Sequence, residues 1–271
     1  MGPALLDRDP PVRLVATDLD GTLLRSDETV SARTRAAVAA VLDAGIRVVI
    51  CTARPARWMV PLQSVVGARG TAVCANGGVI WDIGSQTVLR QFPIAATVAT
   101  EVVTRLRLLL PDAAWAVERA TVFAHEPAYH SRWPVPDDTV VGEIETLLRV
   151  DPVKLMLRAP ASSPDELVTL ARGAVGGLVE VTHSNGADTL LEMSSAGVSK
   201  GSSLAALCRA GGIAADEVIA FGDMPNDLPM LRWAGRSVAV ANAHPDVLAA
   251  ASTVTASCDQ DGVARVLETL L

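Results

Sequence analysis

Leu14-Val15-Ala16-Thr17-Asp18-Leu19-Asp20-Gly21-Thr22 decides the fold: an apolar run of four residues drives straight into two carboxylates and a glycine. So short a run, closed by turn residues, reads as a strand buried on both faces of a parallel sheet. Asp18 and Asp20 are spaced i and i+2, so at a strand end both face one side, an arrangement suited to a nucleophile and a proton donor. The design recurs downstream, where Val218-Ile219-Ala220-Phe221-Gly222-Asp223-Met224-Pro225-Asn226-Asp227 carries a second apolar run into a cluster of acids. A third end, Val48-Val49-Ile50-Cys51-Thr52-Ala53-Arg54, presents a hydroxyl in place of a carboxylate. In an open parallel sheet such ends converge on one edge, where ligands bind.

Outward from these strands, the chain alternates strand and helix. Strands over 14–17, 47–51 and 71–74 are separated by helices over about 31–44 and 55–66, with Ser31 as N-cap and Gly45 as helix stop. The alternation resumes after Ser199 with a helix to Arg209, a strand over 218–221, a helix over 228–234 and a strand over 237–241. This is an α/β pattern with a parallel sheet. Between the two halves the texture changes. Two helical stretches, 95–110 and 164–174, stand among strand-like runs at 121–124, 153–158 and 178–182 without strict alternation. They predict an inserted α+β domain over 84–189, between core segments 1–83 and 190–271, with linkers near Asp82 to Ser85 and Asp188 to Leu191 about which it opens and closes.

Half of the 271 residues are hydrophobic, enough for a full core. The net charge of -7 and the lack of a basic run exclude a nucleic-acid backbone as the expected partner. A small phosphorylated metabolite stays admissible if a metal and a lysine neutralise it locally. Cys51, Cys74, Cys208 and Cys258 are scattered, with no CxxC pair, as expected of buried reduced thiols. Met1 to Pro11 carries charges and prolines and does not read as a signal peptide, and no apolar run approaches the roughly 20 residues of a membrane span. The expectation is a soluble cytoplasmic protein.

Phosphate monoesters resist hydrolysis, so a catalyst must supply a nucleophile, a proton for the leaving alkoxide, and charge neutralisation. Asp18 can attack phosphorus to give an aspartyl-phosphate, and Asp20 can protonate the leaving oxygen and later deprotonate water. Carboxylates at 18, 20 and 223 cannot share a phosphate pocket without a cation, and all-oxygen ligands point to Mg²⁺. Thr52 and the Ala53 N–H can hold one phosphoryl oxygen, and Lys200, opening a helix, can hold another. Asn226 and Asp227 precede a helix that they can cap, and Asp227 can also orient Lys200 or the metal surroundings. Each of these residues alone has a structural reading, but their joint occurrence at predicted strand and helix ends favours chemistry.

Asp18-Leu19-Asp20-Gly21-Thr22-Leu23-Leu24, Thr52-Ala53-Arg54, Ala75-Asn76-Gly77-Gly78, Ser199-Lys200-Gly201 and Gly222 to Asp227 resemble the ordered motifs of the haloacid dehalogenase superfamily, and within it the Cof-type phosphatases. The resemblance runs from about Leu14 to Leu271, strong in the core segments and weak between them. It implies a Rossmann-like core with a large α+β cap inserted between the second and third motifs. It implies Asp18 as nucleophile, Asp20 as acid/base, and Asp18, the Asp20 carbonyl and Asp223 as Mg²⁺ ligands. Thr52 and Lys200 would bind phosphate, Asn76 and Gly77 would face the substrate, and Asn226 and Asp227 would complete the surroundings. One departure is Ala53, where the family usually has glycine; its methyl narrows the approach to phosphate but keeps the N–H. The implied reaction is hydrolysis of a small phosphorylated metabolite, sugar phosphates first, with a phosphomutase or a non-catalytic phospho-ligand binder as alternatives. Specificity falls to the inserted domain, where Trp115, His125, Glu126, His130, Arg132, Trp133, Lys154 and His183 are candidates that packing or solvation explains equally well.

Overall fold

The computed structural model describes residues 11–67, 70–160, 163–184 and 189–271. The leader reading therefore falls, apart from Pro11, outside the described residues, as does Asp188 of the second expected linker. The strands in chain order are β1 (Leu14–Thr17), β2 (Arg47–Cys51), β3 (Thr71–Cys74), β4 (Val79–Asp82), β5 (Thr87–Gln91), β6 (Ala114–Glu118) and β7 (Phe123–His125). They continue with β8 (Val140–Val141), β9 (Lys154–Arg158), β10 (Val179–Thr182), β11 (Leu190–Ser195), β12 (Val218–Gly222), β13 (Arg236–Ala239) and β14 (Thr253–Val254).

Eight strands form one sheet in the order β14-β13-β12-β1-β2-β3-β4-β5, parallel from β14 to β3. β1 and β12 are buried at every residue because helices cover both faces, which is why these strands read as unbroken apolar runs. The chain leaves β1 toward β2 on one side and returns through β12 on the other. The carboxyl ends of β1, β2, β3 and β12 therefore release Asp18, Thr52, Ala75-Asn76 and Asp223 along one edge, at the point where the winding reverses.

A six-stranded sheet, β10-β11-β9-β6-β7-β8, carries the inserted segment and is antiparallel except for the β7 and β8 pair. The helices Ala96–Leu109 and Pro164–Val175 pack on one of its faces, against Trp115, Val117, Leu155, Leu157, Leu191 and Met193. Period-two alternation sends the intervening residues, Glu118, Lys154, Met156, Arg158, Leu190 and Glu192, to the opposite face, where they line a cavity over the first sheet's edge. The seams between the sheets fall later than the expected boundaries at 83/84 and 189/190. β4 and β5 extend the first sheet as an antiparallel hairpin, and β11 pairs with β9 and β10. The sequence step at Gly84 marks the hairpin turn, not the end of a sheet. The expected helix over 55–66 is also broken: two short turns at Ala56–Trp58 and Val60–Leu62 precede a single helical turn, Gln63–Val66, because Pro55 and Pro61 remove backbone donors.

The helix Lys200–Ala210 begins at Ser199, whose hydroxyl accepts the Ser202 N–H at 3.1 Å while the Ser202 hydroxyl accepts the Ser199 N–H at 2.9 Å. Gly201 lets this helix close on the one after Asp227, since a methyl there would lie 2.4 Å from the Pro229 backbone. Gly201→Ala is expected to destabilise the protein by about 1–3 kcal/mol through overpacking, read as a lower midpoint in thermal melting.

Candidate active site

Asp18 follows β1, its N–H held by the Phe221 carbonyl of β12 at 2.9 Å, so the sheet ladder itself sets its position. Lys200 Nζ donates at 2.6 Å to Asp18 Oδ1 and at 2.6 Å to Asp227 Oδ1. All three are buried, so the ammonium joins two carboxylates away from water. Burial works against the charged Lys200, but Asp18 and Asp227 together outweigh it and hold its pKa above the ordinary value. The second Asp227 oxygen accepts the N–H groups of Asp223 at 2.9 Å and Met224 at 3.0 Å. Asp227 thus folds the loop after β12 and orients Lys200, and its side chain makes no cap to the helix that follows.

Asp223 completes the cluster, with Thr22 Oγ1 donating to its Oδ1 at 2.8 Å. Gly21, at φ +75°, passes so close that a Cβ would sit 2.6 Å from Asp223 Oδ2, which explains glycine at this turn. One oxygen from each of Asp18, Asp223 and Asp227 can be chosen so that all lie within 4.8 Å of one another. Burial, then the Asp227 charge, pushes the Asp223 carboxyl up to about 7. The same two causes, in the same order, push Asp18 well above the usual carboxylate range. Fully ionised, three carboxylates against one ammonium leave two negative charges in excess, the repulsion that joins burial in raising Asp18 and Asp223 and the complement of a divalent cation. The donors are hard oxygens throughout, and the nearby buried Asn226 Oδ1 makes no hydrogen bond among the described residues. This set fits Mg²⁺ better than a thiophilic metal.

Asp20 stands apart. Its side chain is half exposed and forked by Arg54, whose Nε lies 2.8 Å from Oδ2, with the terminal guanidinium nitrogen on Oδ1. Among the expected metal-site residues, then, the Asp18 and Asp223 carboxylates cluster with that of Asp227, while the Asp20 carboxylate stands outside the cluster. Arg54, from the loop after β2, captures the outward-facing Asp20 carboxylate.

Thr52 is fully buried at the end of β2, and its Oγ1 accepts the Arg54 N–H at 3.0 Å. Ala53 lines the cavity with Asp18 and Asp20. Asn76, at φ +54°, donates through Nδ2 to Glu192 Oε2 at 3.2 Å and accepts from Asn226 Nδ2 at 3.0 Å. The Gly77 carbonyl is occupied by the Ser203 hydroxyl at 2.7 Å, which ties this turn to the Lys200 helix. Asn76 and Gly77, expected to face substrate, are thus engaged with Asn226, the Lys200 helix and β11, while Asn226, expected to complete the surroundings, lines the cavity. The cavity, about 320 Å³, is walled by Trp58, Phe123, Tyr129 and Trp133.

Of the candidates in the inserted segment, Arg132, Trp133 and Lys154 reach this cavity. Trp115 is core, Glu126 is bound by Arg107, and His183 pairs with Asp165 at 2.8 Å. Lys154 is buried rather than solvated: it points away from the helices of its own sheet, and that face is the one turned to the site. Arg54, Thr22 and Glu192 were not singled out as site residues. Arg54 and Thr22 lie inside quoted motifs, and alternation along β11 was the signal for Glu192.

The haloacid dehalogenase-like hydrolase family model matches residues 15–267. A phosphoglycolate phosphatase of Halorubrum lacusprofundi is 34% identical, over 96% of this chain and 97% of its own length. The pyridoxal phosphate phosphatase YbhA of Escherichia coli is 30% identical, over 94% and 97%. The crystal structure of a haloacid dehalogenase-like hydrolase from Bacteroides thetaiotaomicron superposes with a TM-score of 0.75 at 26% identity, covering 96% of this chain and 100% of that one. With the acid and lysine cluster at the winding reversal and a match along almost its whole length, the chain belongs to the haloacid dehalogenase-like hydrolases and is a phosphatase of that family.

Proposed function

We propose that the protein hydrolyses a small phosphorylated metabolite, with Mg²⁺, through a phosphoryl group carried on Asp18. The observation that carries this reading is the Asp18 carboxylate, fixed at the β1 end by Lys200 and facing the cavity beside Asp20. Asp18 attacks phosphorus and the bond to the leaving oxygen breaks; Asp20 gives that oxygen its proton. Water then attacks the aspartyl-phosphate, Asp20 takes a proton from it, and phosphate departs, restoring Asp18. Arg54 holds Asp20 in place between the two steps. Lys200 and the Thr52 hydroxyl, with the Ala53 N–H, bind phosphoryl oxygens. Asp18, Asp223 and the Asp20 carbonyl would hold the metal, with Asp227 and Asn226 around it. Bound there, Mg²⁺ neutralises the excess charge so that phosphate and carboxylates coexist.

Sugar phosphates are the first substrates to test, and the aromatic walls of the cavity suit ring-bearing leaving groups generally. Phosphoglycolate and pyridoxal phosphate, which relatives' names carry, belong in the same panel. The four cysteines are all free and buried, as suits a reducing cytoplasm, and no described helix is long and apolar enough to cross a membrane.

The test is release of phosphate from a chromogenic ester and from that panel, with Mg²⁺ and with chelator; no turnover of any ester with Mg²⁺ present defeats the reading. Mg²⁺ is further expected to raise the melting temperature, by an amount equivalent to about 2.7 kcal/mol at a hundredfold excess over Kd. Calorimetry with and without the cation measures it, and an unchanged melting temperature counts against the metal site.

A further inference from the structure

A buried ion pair between the two sheets takes no part in the chemistry above. Lys154 opens β9 and Glu192 lies in the adjacent β11, both on the face turned to the cavity and both more than nine-tenths buried. Lys154 Nζ donates to a Glu192 carboxylate oxygen and, at 2.9 Å, to the Ala53 carbonyl on the first sheet. Burial would raise the Glu192 carboxyl, but Lys154, helped by hydrogen bonds from neighbours that include Asn76, outweighs it and holds it below the ordinary value. Such a pair adds little stability over apolar residues of the same volume. Its distinctive contact is with the backbone of the phosphate loop.

The Ala53 carbonyl and the Arg54 N–H belong to one planar peptide unit. That unit is held at both ends, by Lys154 on its oxygen and by Thr52 Oγ1 on its N–H at 3.0 Å. A cation on the carbonyl polarises the peptide and strengthens its N–H as a donor. A hydroxyl that accepts this N–H keeps its own proton to give.

We propose that Lys154, with Glu192 as counter-ion, is a positioning residue: seating the second sheet fixes the Ala53–Arg54 peptide, which directs the Thr52 hydroxyl to a phosphoryl oxygen and Arg54 to Asp20. This rests on the reading of Thr52 as a phosphate ligand. Glu192 extends the device through Asn76 to Asn226, at the loop after β12.

The experiment compares wild type with Lys154→Met/Glu192→Gln, which leaves neither charge buried alone, and with Lys154→Arg. Three quantities are read: hydrogen exchange at the Arg54 amide, inhibition of ester hydrolysis by inorganic phosphate, and thermal melting. The double variant is expected to exchange at Arg54 and to lose phosphate inhibition by roughly 10- to 100-fold each, the span of a hydrogen bond to a charged group. Lys154→Arg is expected to recover most of both. A folded double variant with wild-type exchange and wild-type inhibition overturns the proposal. So does a wild-type Arg54 amide that exchanges like that of an exposed loop, a result that needs no variant to fold. A wild type that hydrolyses no ester instead sinks the phosphatase reading, and exchange at Arg54 still decides the positioning role.

Discussion

Asp18→Asn will abolish ester hydrolysis, lowering kcat by at least roughly 10³-fold, because the amide cannot attack phosphorus. The substitution preserves shape, and it removes a carboxylate that burial and the Asp227 charge already disfavour. The variant is therefore expected to melt at or above the wild-type temperature without metal. Loss of turnover with an intact melt separates chemistry from folding, and wild-type turnover in Asp18→Asn would refute the nucleophile assignment.

Lys200→Met is the second large effect, and its direction is opposite for stability. Lys200 is 1% exposed and is the ammonium that joins Asp18 to Asp227. Removing one partner of a buried charge cluster costs about 3–5 kcal/mol, because the carboxylates are left uncompensated. For a chain of this size that is a fall in melting temperature of about 6–20 °C. Mg²⁺ is expected to restore part of the loss by supplying charge at the same carboxylates, while activity stays absent. Calorimetry in chelator and in Mg²⁺ measures both terms, and a wild-type melt in chelator would show that Lys200 carries no such burden.

The first sheet was legible because its strands are buried on both faces: 14–17, 47–51 and 71–74 could be read as apolar runs closed by turn residues, and the structure places them at those positions. The hairpin Val79–Asp82 and Thr87–Gln91 was not, since every residue of its second strand is exposed, Val88 and Leu89 included, and the run is neither a continuous apolar stretch nor an alternating one. β11 was missed as part of the inserted sheet for a different reason. It pairs with β9, more than thirty positions earlier, as well as with the nearby β10, and the expected boundary at 189/190 cut it from both.

The sequence by itself determined the chemical inventory and its order: Asp18, Asp20, Thr52, Lys200, Asp223 and Asp227 at the ends of strands and the start of a helix. Strand periodicity and capping are local properties, and they suffice to put reactive groups on one sheet edge. Tertiary structure alone decided the partnerships: Lys200 between Asp18 and Asp227, Arg54 on Asp20, Asn76 on Glu192, and Lys154 on the Ala53 carbonyl. Hydrogen bonds reach about 3 Å in space without regard to chain separation, so which buried charge meets which depends on how two sheets are stacked, information that no single segment holds.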